Sequence, residues 1–211
     1  MTSSKQRILE RLTKSIKPQV AGELQSAPPS DKPGNRDQFI AQLKQNNAEV
    51  IASTAHTLTD NIRATLKADG LRPTLVSRLE IIPTESGEAL PIRDQLMANG
   101  VTLTDDPGKA ADSVGFSMAL TGISDTGTLV LTSSPQNPTA INFLVEHHWV
   151  VLRSKDIVAN LQSAITKLEH QGYHTSSRAI NFISGPSRTA DIEQTIQLGA
   201  HGPRSLRVFI I

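Results

Sequence analysis

Trp149-Val-Val-Leu152, Lys155–Gln171 and Ala179-Ile-Asn-Phe-Ile183 decide the fold class. The first run is apolar throughout and only four residues long, as in a strand buried on both faces. In the second, Ile157, Val158, Leu161, Ile165 and Leu168 recur at helical spacing and Gly172 closes the run. That pattern predicts one amphipathic helix over 155–171. The third run is again a strand. A strand, a helix and a further strand in succession are what a mostly parallel sheet is built from.

Working outward, the alternation continues in both directions. Towards the N-terminus, Leu129-Val-Leu131 and Val114-Gly-Phe-Ser-Met118 are apolar strands, with a short helix expected at Ala140–Val145. Val101-Thr-Leu103, Thr74-Leu-Val-Ser77 and Val50-Ile51 are shorter strand runs. Between them fall helices at Ile92–Ala98, closed by Asn99-Gly100, at Leu58–Ala68, ended by Gly70, and at Asp37–Asn46. Towards the C-terminus, Leu206–Ile211 is apolar at nearly every position and belongs inside the sheet. The expectation is an α/β domain: an open, mostly parallel sheet with helices on both faces.

A separate N-terminal piece precedes this pattern. Ser3 or Ser4 can cap a helix carrying Ile8, Leu9, Leu12 and Ile16 on one face, and Lys17-Pro18 ends it. Ser26-Ala-Pro-Pro-Ser-Asp-Lys-Pro-Gly34 then reads as a linker. The division is an arm and linker over 1–34 and the α/β domain over 35–211. The arm's apolar face packs on its own domain or on a second copy of the chain, a route to a homo-oligomer.

Composition excludes several functions. The 211 residues contain no cysteine, so no disulfide, thiolate nucleophile or cysteine-ligated cluster or cofactor can form within them. Lysine and arginine number 21 against 20 acidic residues, a net charge of +1, and aromatics make up 3%. Nucleic-acid binders show a basic stripe, often with stacking aromatics, so no nucleic-acid partner is expected. The apolar runs reach about five residues against the roughly 20 that span a bilayer, so no membrane span is expected. The opening Met-Thr-Ser-Ser-Lys-Gln-Arg carries no apolar segment of a signal peptide, and the expected location is the cytoplasm.

Three stretches have the residue types of a site. Ser124-Asp125-Thr126-Gly127-Thr128 suits either a hairpin turn or a turn with outward amides that cradle an anion. Ser184-Gly185-Pro186-Ser187-Arg188-Thr189-Ala190-Asp191-Ile192-Glu193 follows a strand. If Ser187 or Thr189 caps a helix, its amides and dipole favour an anion, and Arg188 can grip a carboxylate or phosphate with two prongs. A solvated loop in which Arg188 pairs with Asp191 or Glu193 is the alternative. In Leu198-Gly-Ala-His201-Gly202-Pro203, small residues let backbone approach a ligand. His201 titrates near neutrality and is the candidate catalytic acid or base. The expected ligand residues are therefore Asp125 to Thr128, Gly185, Ser187, Arg188, Thr189, Asp191, Glu193, His201 and Gly202, with a small anion as ligand. His147-His148 is no metal site, because adjacent strand residues point to opposite faces.

Together Ile123-Ser-Asp-Thr-Gly-Thr-Leu-Val-Leu131, Asn142-Phe-Leu-Val-Glu-His-His148, Ile183–Glu193 and Leu198–Pro203 resemble the LUD domain of the lactate-utilization C (LutC/YkgG) proteins. The family pattern carries glutamate where this chain has Asp125 and proline where it has Val145, while His148 matches. The resemblance implies a sheet similar to the sugar-phosphate isomerase and coenzyme A transferase-like superfamily. It also implies a role as the non-cluster subunit of a system oxidising L-lactate to pyruvate, beside iron–sulfur partner proteins. It gives no catalytic mechanism, and the ligand stays unassigned. Two other classes remain: a self-sufficient enzyme on a phosphorylated or acyl compound, and a scaffolding module docked through the arm.

Overall fold

The computed structural model describes residues 32–106, 113–192, 195–198 and 202–211, and the expected N-terminal helix and most of the linker lie outside them. Six parallel strands form the main sheet: β1 (Glu49–Ala52), β2 (Thr74–Val76), β5 (Thr102–Thr104), β6 (Val114–Met118), β9 (His147–Leu152) and β14 (Ser205–Ile210). They lie side by side in the order β1-β14-β9-β6-β2-β5. The terminal strand sits between β1 and β9, inside the sheet as its apolar sequence requires.

Alternation along β9 and β14 sends side chains to two cores. Trp149, Val151, Phe209 and Ile211 face α2 (Leu58–Ala68) and α3 (Ile92–Ala98), whose Leu58, Ile62, Leu66, Ile92 and Leu96 are buried against them. Trp149 and Phe209 pack with ring centroids 5.6 Å apart, and the Arg207 guanidinium lies 5.2 Å over the Trp149 ring. On the other face, Val150, Leu152, Val208 and Ile210 meet Phe39 and Leu43 of α1 (Arg36–Gln45). Asn35 caps α1 by accepting hydrogen bonds from the amides of Asp37 and Gln38. Helices thus cover both faces of a parallel sheet.

A second sheet shares the α1 face. Strands β7 (Thr121–Ile123), β8 (Thr128–Thr132), β10 (Ile157–Val158) and β11 (Ile180–Ile183) pair in the order β10-β7-β8-β11. Leu129 and Leu131 point into the core with Phe39, whereas Ile123 and Val130 point out to Ala164 and Leu168 of α5 (Leu161–His170). The helix expected over 155–171 is therefore shorter. Its first residues form a 3-10 turn (Ser154–Asp156) and β10, and Asn160 caps α5 by accepting from the Ser163 amide at 3.0 Å. Ile157 and Val158, both β-branched, pair with Gly122 and Ile123 instead of winding. The end of the linker joins here too: the Gly34 amide donates to the Ile157 carbonyl and Ala159 to that of Lys32.

Two hairpins complete the chain: β3 (Ile82–Pro83) with β4 (Ala89–Leu90), and β12 (Arg188–Ile192) with β13 (Thr195–Leu198). The second corrects the expectation of a helix capped by Ser187 or Thr189. Arg188 pairs with Leu198 and Thr189 with Gln197 across an antiparallel ladder. No helix among the described residues is long and apolar enough to cross a membrane.

Candidate functional site

A cleft of about 240 Å³ opens at the amino ends of β9 and β14. One wall is α4 (Ile141–Leu144), and the opposite wall is the end of β11 with the turn Ser184–Ser187. Pro203 and Leu206 close the base. The Ser187 amide donates to the Pro203 carbonyl at 2.8 Å, which ties the two limbs of the β12–β13 hairpin together at the mouth.

Strand phase aims His148 here. It is in step with Val150 and Leu152, on the α1 face, and opposite Gly115 of β6. A Cβ on Gly115 would come within 2.7 Å of Ile141 and 2.9 Å of Val145, so glycine lets α4 settle close above the histidine. His148 is 1% exposed and its Nε2 lies 2.7 Å from the Ser117 hydroxyl. Burial pushes its imidazole down to about 4, so the ring is neutral at physiological pH. Its Nδ1 is buried without a partner, and so is the Oδ1 of Asn142, a residue 4% exposed in α4. Such orphans are uncommon in folded proteins; Asn137 Oδ1 and Asn181 Nδ2 are others among the described residues, and the pair at Asn142 and His148 is set apart by lining a cleft. Phe143 and Phe182, 48% and 47% exposed, form an aromatic rim beside them.

The expected site residues divide in the structure. Gly185, Ser187 and Gly202 line the cleft, as does Ser184. Thr128 and Thr126 connect to it through hydroxyls: Thr126 to Thr128 at 2.7 Å and Thr128 to Ser184 at 2.8 Å. The two loops singled out in the sequence are thus neighbours. Asp125 and Gly127 turn instead towards α1. Gln38 donates to Asp125 at 3.4 Å, and a Cβ on Gly127, at φ +63°, would meet the Gln42 and Leu43 backbone at 2.7 Å. The amides of Ser124, Asp125 and Gly127 donate to the carbonyls of Val158, Ala159 and Ile123. This is a clamped hairpin turn rather than an outward cradle of amides.

Arg188 is exposed on the first residue of β12, and Thr189 and Asp191 follow it in that strand. Glu193 and His201 lie outside the described residues. With β12 a strand, no helix dipole faces this loop, and no Lys or Arg is among the described lining residues. His147 lies on the opposite face, its Nδ1 2.7 Å from the Ser205 hydroxyl. Among the described residues no group of three or more His, Asp or Glu gathers to hold a metal.

The expected ligand residues did not include Asn142, Phe143, His148 or Phe182, which line the cleft. Their signal was phase: an asparagine in a short apolar helix, and a histidine in step with buried valines. A larger cleft, about 390 Å³, lies between the β3–β4 hairpin and the β1–α2 loop at the carboxyl end of the sheet. Ligands of open α/β sheets commonly bind at that end. There, however, Thr54 bonds Thr57 at 3.1 Å and Thr84 bonds Ser86 at 2.9 Å, which leaves these hydroxyls partnered.

Known proteins support a family assignment. The LUD domain family matches residues 36–211. An uncharacterised protein of Neisseria meningitidis serogroup B is 39% identical over 46% of this chain and 41% of its own length. The YkgG protein of Escherichia coli is 33% identical over 55% of this chain and 54% of its own. The chain therefore spans about half the length of these two relatives. The lactate utilization protein C of Anoxybacillus flavithermus is 25% identical over 84% of this chain and 82% of its own. A crystal structure of a DUF162 family protein from Deinococcus radiodurans superposes with a TM-score of 0.57 at 20% identity, covering 84% of this chain and 99% of that one. That likeness shows the same fold.

Proposed function

From the premise that this chain belongs to the LUD domain family over residues 36–211, we propose that it serves lactate utilization. Its place is that of a non-cluster subunit in a system that oxidises L-lactate to pyruvate. Relatives that bear the name lactate utilization protein C support the pathway, one of them over most of both chains. Conversion of lactate to pyruvate releases two electrons and two protons. A chain without cysteine has no thiolate to hold an iron–sulfur cluster, so the electrons pass to cluster-bearing partners.

The contribution of this subunit is a ligand held in the cleft between α4, β11 and the amino ends of β9 and β14. One observation carries that reading: Asn142 and His148, which line the same cleft, each bury one polar atom, Oδ1 and Nδ1, without a partner. Leaving a buried polar atom unsatisfied costs about 1–3 kcal/mol, a cost that a bound ligand removes. His148, neutral and anchored by Ser117, offers the ligand a hydrogen-bond donor or an acceptor according to which way the Ser117 hydroxyl points.

The test is genetic and biochemical. In a host without another lactate dehydrogenase, deletion of the gene should abolish growth on L-lactate while growth on pyruvate continues. Restoring the full chain should restore it. Undiminished growth on L-lactate after deletion would remove the chain from the pathway.

A further inference from the structure

The same cleft says something about what it admits. The inference rests on the cleft's being a ligand site, and it names the class of ligand.

Four features of the lining act together. First, the described lining residues include no lysine, arginine, aspartate or glutamate. A carboxylate or phosphate moved into this space would lose its water and gain no counter-charge from the described lining. The penalty for a desolvated ion without a partner is several kcal/mol. Second, the only titratable group among those residues, His148, is pushed to about 4 by burial, so the ring is neutral at pH 7 and charging it to meet an anion works against that burial. Its hydrogen-bond partner is uncharged as well, the Ser117 hydroxyl on β6, and so is the Asn142 carboxamide that lines the same cleft from α4. Third, the unpartnered atoms are a carboxamide oxygen, which accepts, and an imidazole nitrogen, which donates when Ser117 donates to the ring. Fourth, Phe143 and Phe182 rim the opening, with Ile183, Pro186, Pro203 and Leu206 as apolar walls. At about 240 Å³ the space is below the roughly 300–1,000 Å³ of drug-sized sites, and it suits one ring system.

We infer that the cleft binds an uncharged planar heterocycle or aryl amide, with a donor and an acceptor on one edge that meet Asn142 and His148, and that it excludes carboxylates. A ring between Phe143 and Phe182 gains offset aromatic contacts, while its polar edge satisfies the two buried atoms. By the same chemistry the carboxylate of lactate does not seat here. The subunit therefore holds the uncharged ring of a larger molecule or of a partner's group, and the lactate anion is bound elsewhere.

Nicotinamide and nicotinate test this directly, since they share a ring and differ in a neutral amide against a carboxylate. With the full 211-residue chain labelled in 15N at pH 7, nicotinamide at millimolar concentration should shift the Ser187 and Gly202 amides and the His148 ring nitrogens. Nicotinate should need at least about tenfold more for the same shift. Phe182→Ala, at a half-exposed position that leaves the core intact, should weaken nicotinamide by about fivefold. If nicotinate or L-lactate shifts the same signals as well as nicotinamide does, the class is wrong while the cleft remains a ligand site. If none of the three probes moves these signals, water alone satisfies Asn142 and His148, and both the class and the site fall.

Discussion

Two buried polar clusters in this domain sit on either side of the second sheet and are finished to different degrees. Asp156, 5% exposed, is closed on all sides: Arg153 and Lys167 pair with its two carboxylate oxygens, the latter at 2.7 Å, and Thr121 donates to its carbonyl. Asn142 and His148, equally buried, keep one polar atom each without a partner and line an open cleft. The first cluster holds β10 and the start of α5 in place. The second does nothing for stability that an apolar pair would not do better. Buried polar groups that a protein leaves unfinished are where a ligand is to be sought.

The contrast can be broken from the closed side first. Asp156→Ala strands Arg153 and Lys167 without their shared carboxylate, and breaking such a pair costs about 3–5 kcal/mol. In a domain of this size that is a loss of about 6–20 °C in Tm, read by calorimetry. Asp156→Ala at unchanged Tm would mean that the cluster does not hold the second sheet.

Acid attacks the open side. His148 has its folded pKa lowered to about 4 by burial, below the ordinary value of 6.5. Above 6.5 the ring is neutral in both states and its contribution is complete. Between 6.5 and about 4 the unfolded chain takes up the proton and the folded one does not, so stability falls with pH. The full loss is about 3 kcal/mol. Urea midpoints at pH 7 and pH 4.5 capture most of it, and His148→Gln should flatten that part of the profile.

Gly185→Ala comes next. Its Cβ would lie 2.5 Å from the carbonyl oxygen of Asn46 at the end of α1, and backbone has to move. The expected cost is about 1–3 kcal/mol, with the Ser184–Ser187 wall displaced from the cleft. The smallest effect on stability belongs to Asn142→Leu. It removes an acceptor that has no protein partner, so Tm should change by less than the equivalent of about 1 kcal/mol in either direction.

Much of the main sheet was legible because its signals are local. Leu58–Ala68, Ile92–Ala98 and Val114–Met118 have the boundaries that periodicity and the following glycines set. The second sheet was not legible, because pairing between distant segments decided it. Ile157 and Val158 carry the helical spacing of Leu161 and Leu168, but they are drawn into a ladder with Gly122 and Ile123, and Asn160 begins the helix later. The β12–β13 hairpin is another case: Arg188 opposite Leu198 overrides the helix that Ser187 or Thr189 was expected to cap.

The site was legible in outline only. A Gly-Pro turn after a strand locates Ser184–Ser187, and the Thr126–Thr128–Ser184 hydroxyl chain joins it to the other loop. Asn142 and His148 come to line one cleft through the register of β6 with β9 and the close approach that Gly115 allows to α4. No spacing in the sequence encodes that meeting. The helix end expected beside Arg188 likewise gave way to pairing between distant residues, and Arg188 stands exposed on a strand.

The measurement closest to the central claim separates folding from function at Asn142. A deletion strain lacking any other lactate dehydrogenase is supplied with the Asn142→Leu chain, whose folded state is confirmed by its Tm. If the cleft is kept open for a ligand that lactate utilization needs, this chain folds as the wild type does and growth on L-lactate stays lost. Growth on L-lactate at the wild-type rate, from a chain whose cleft lacks that acceptor, would contradict the account.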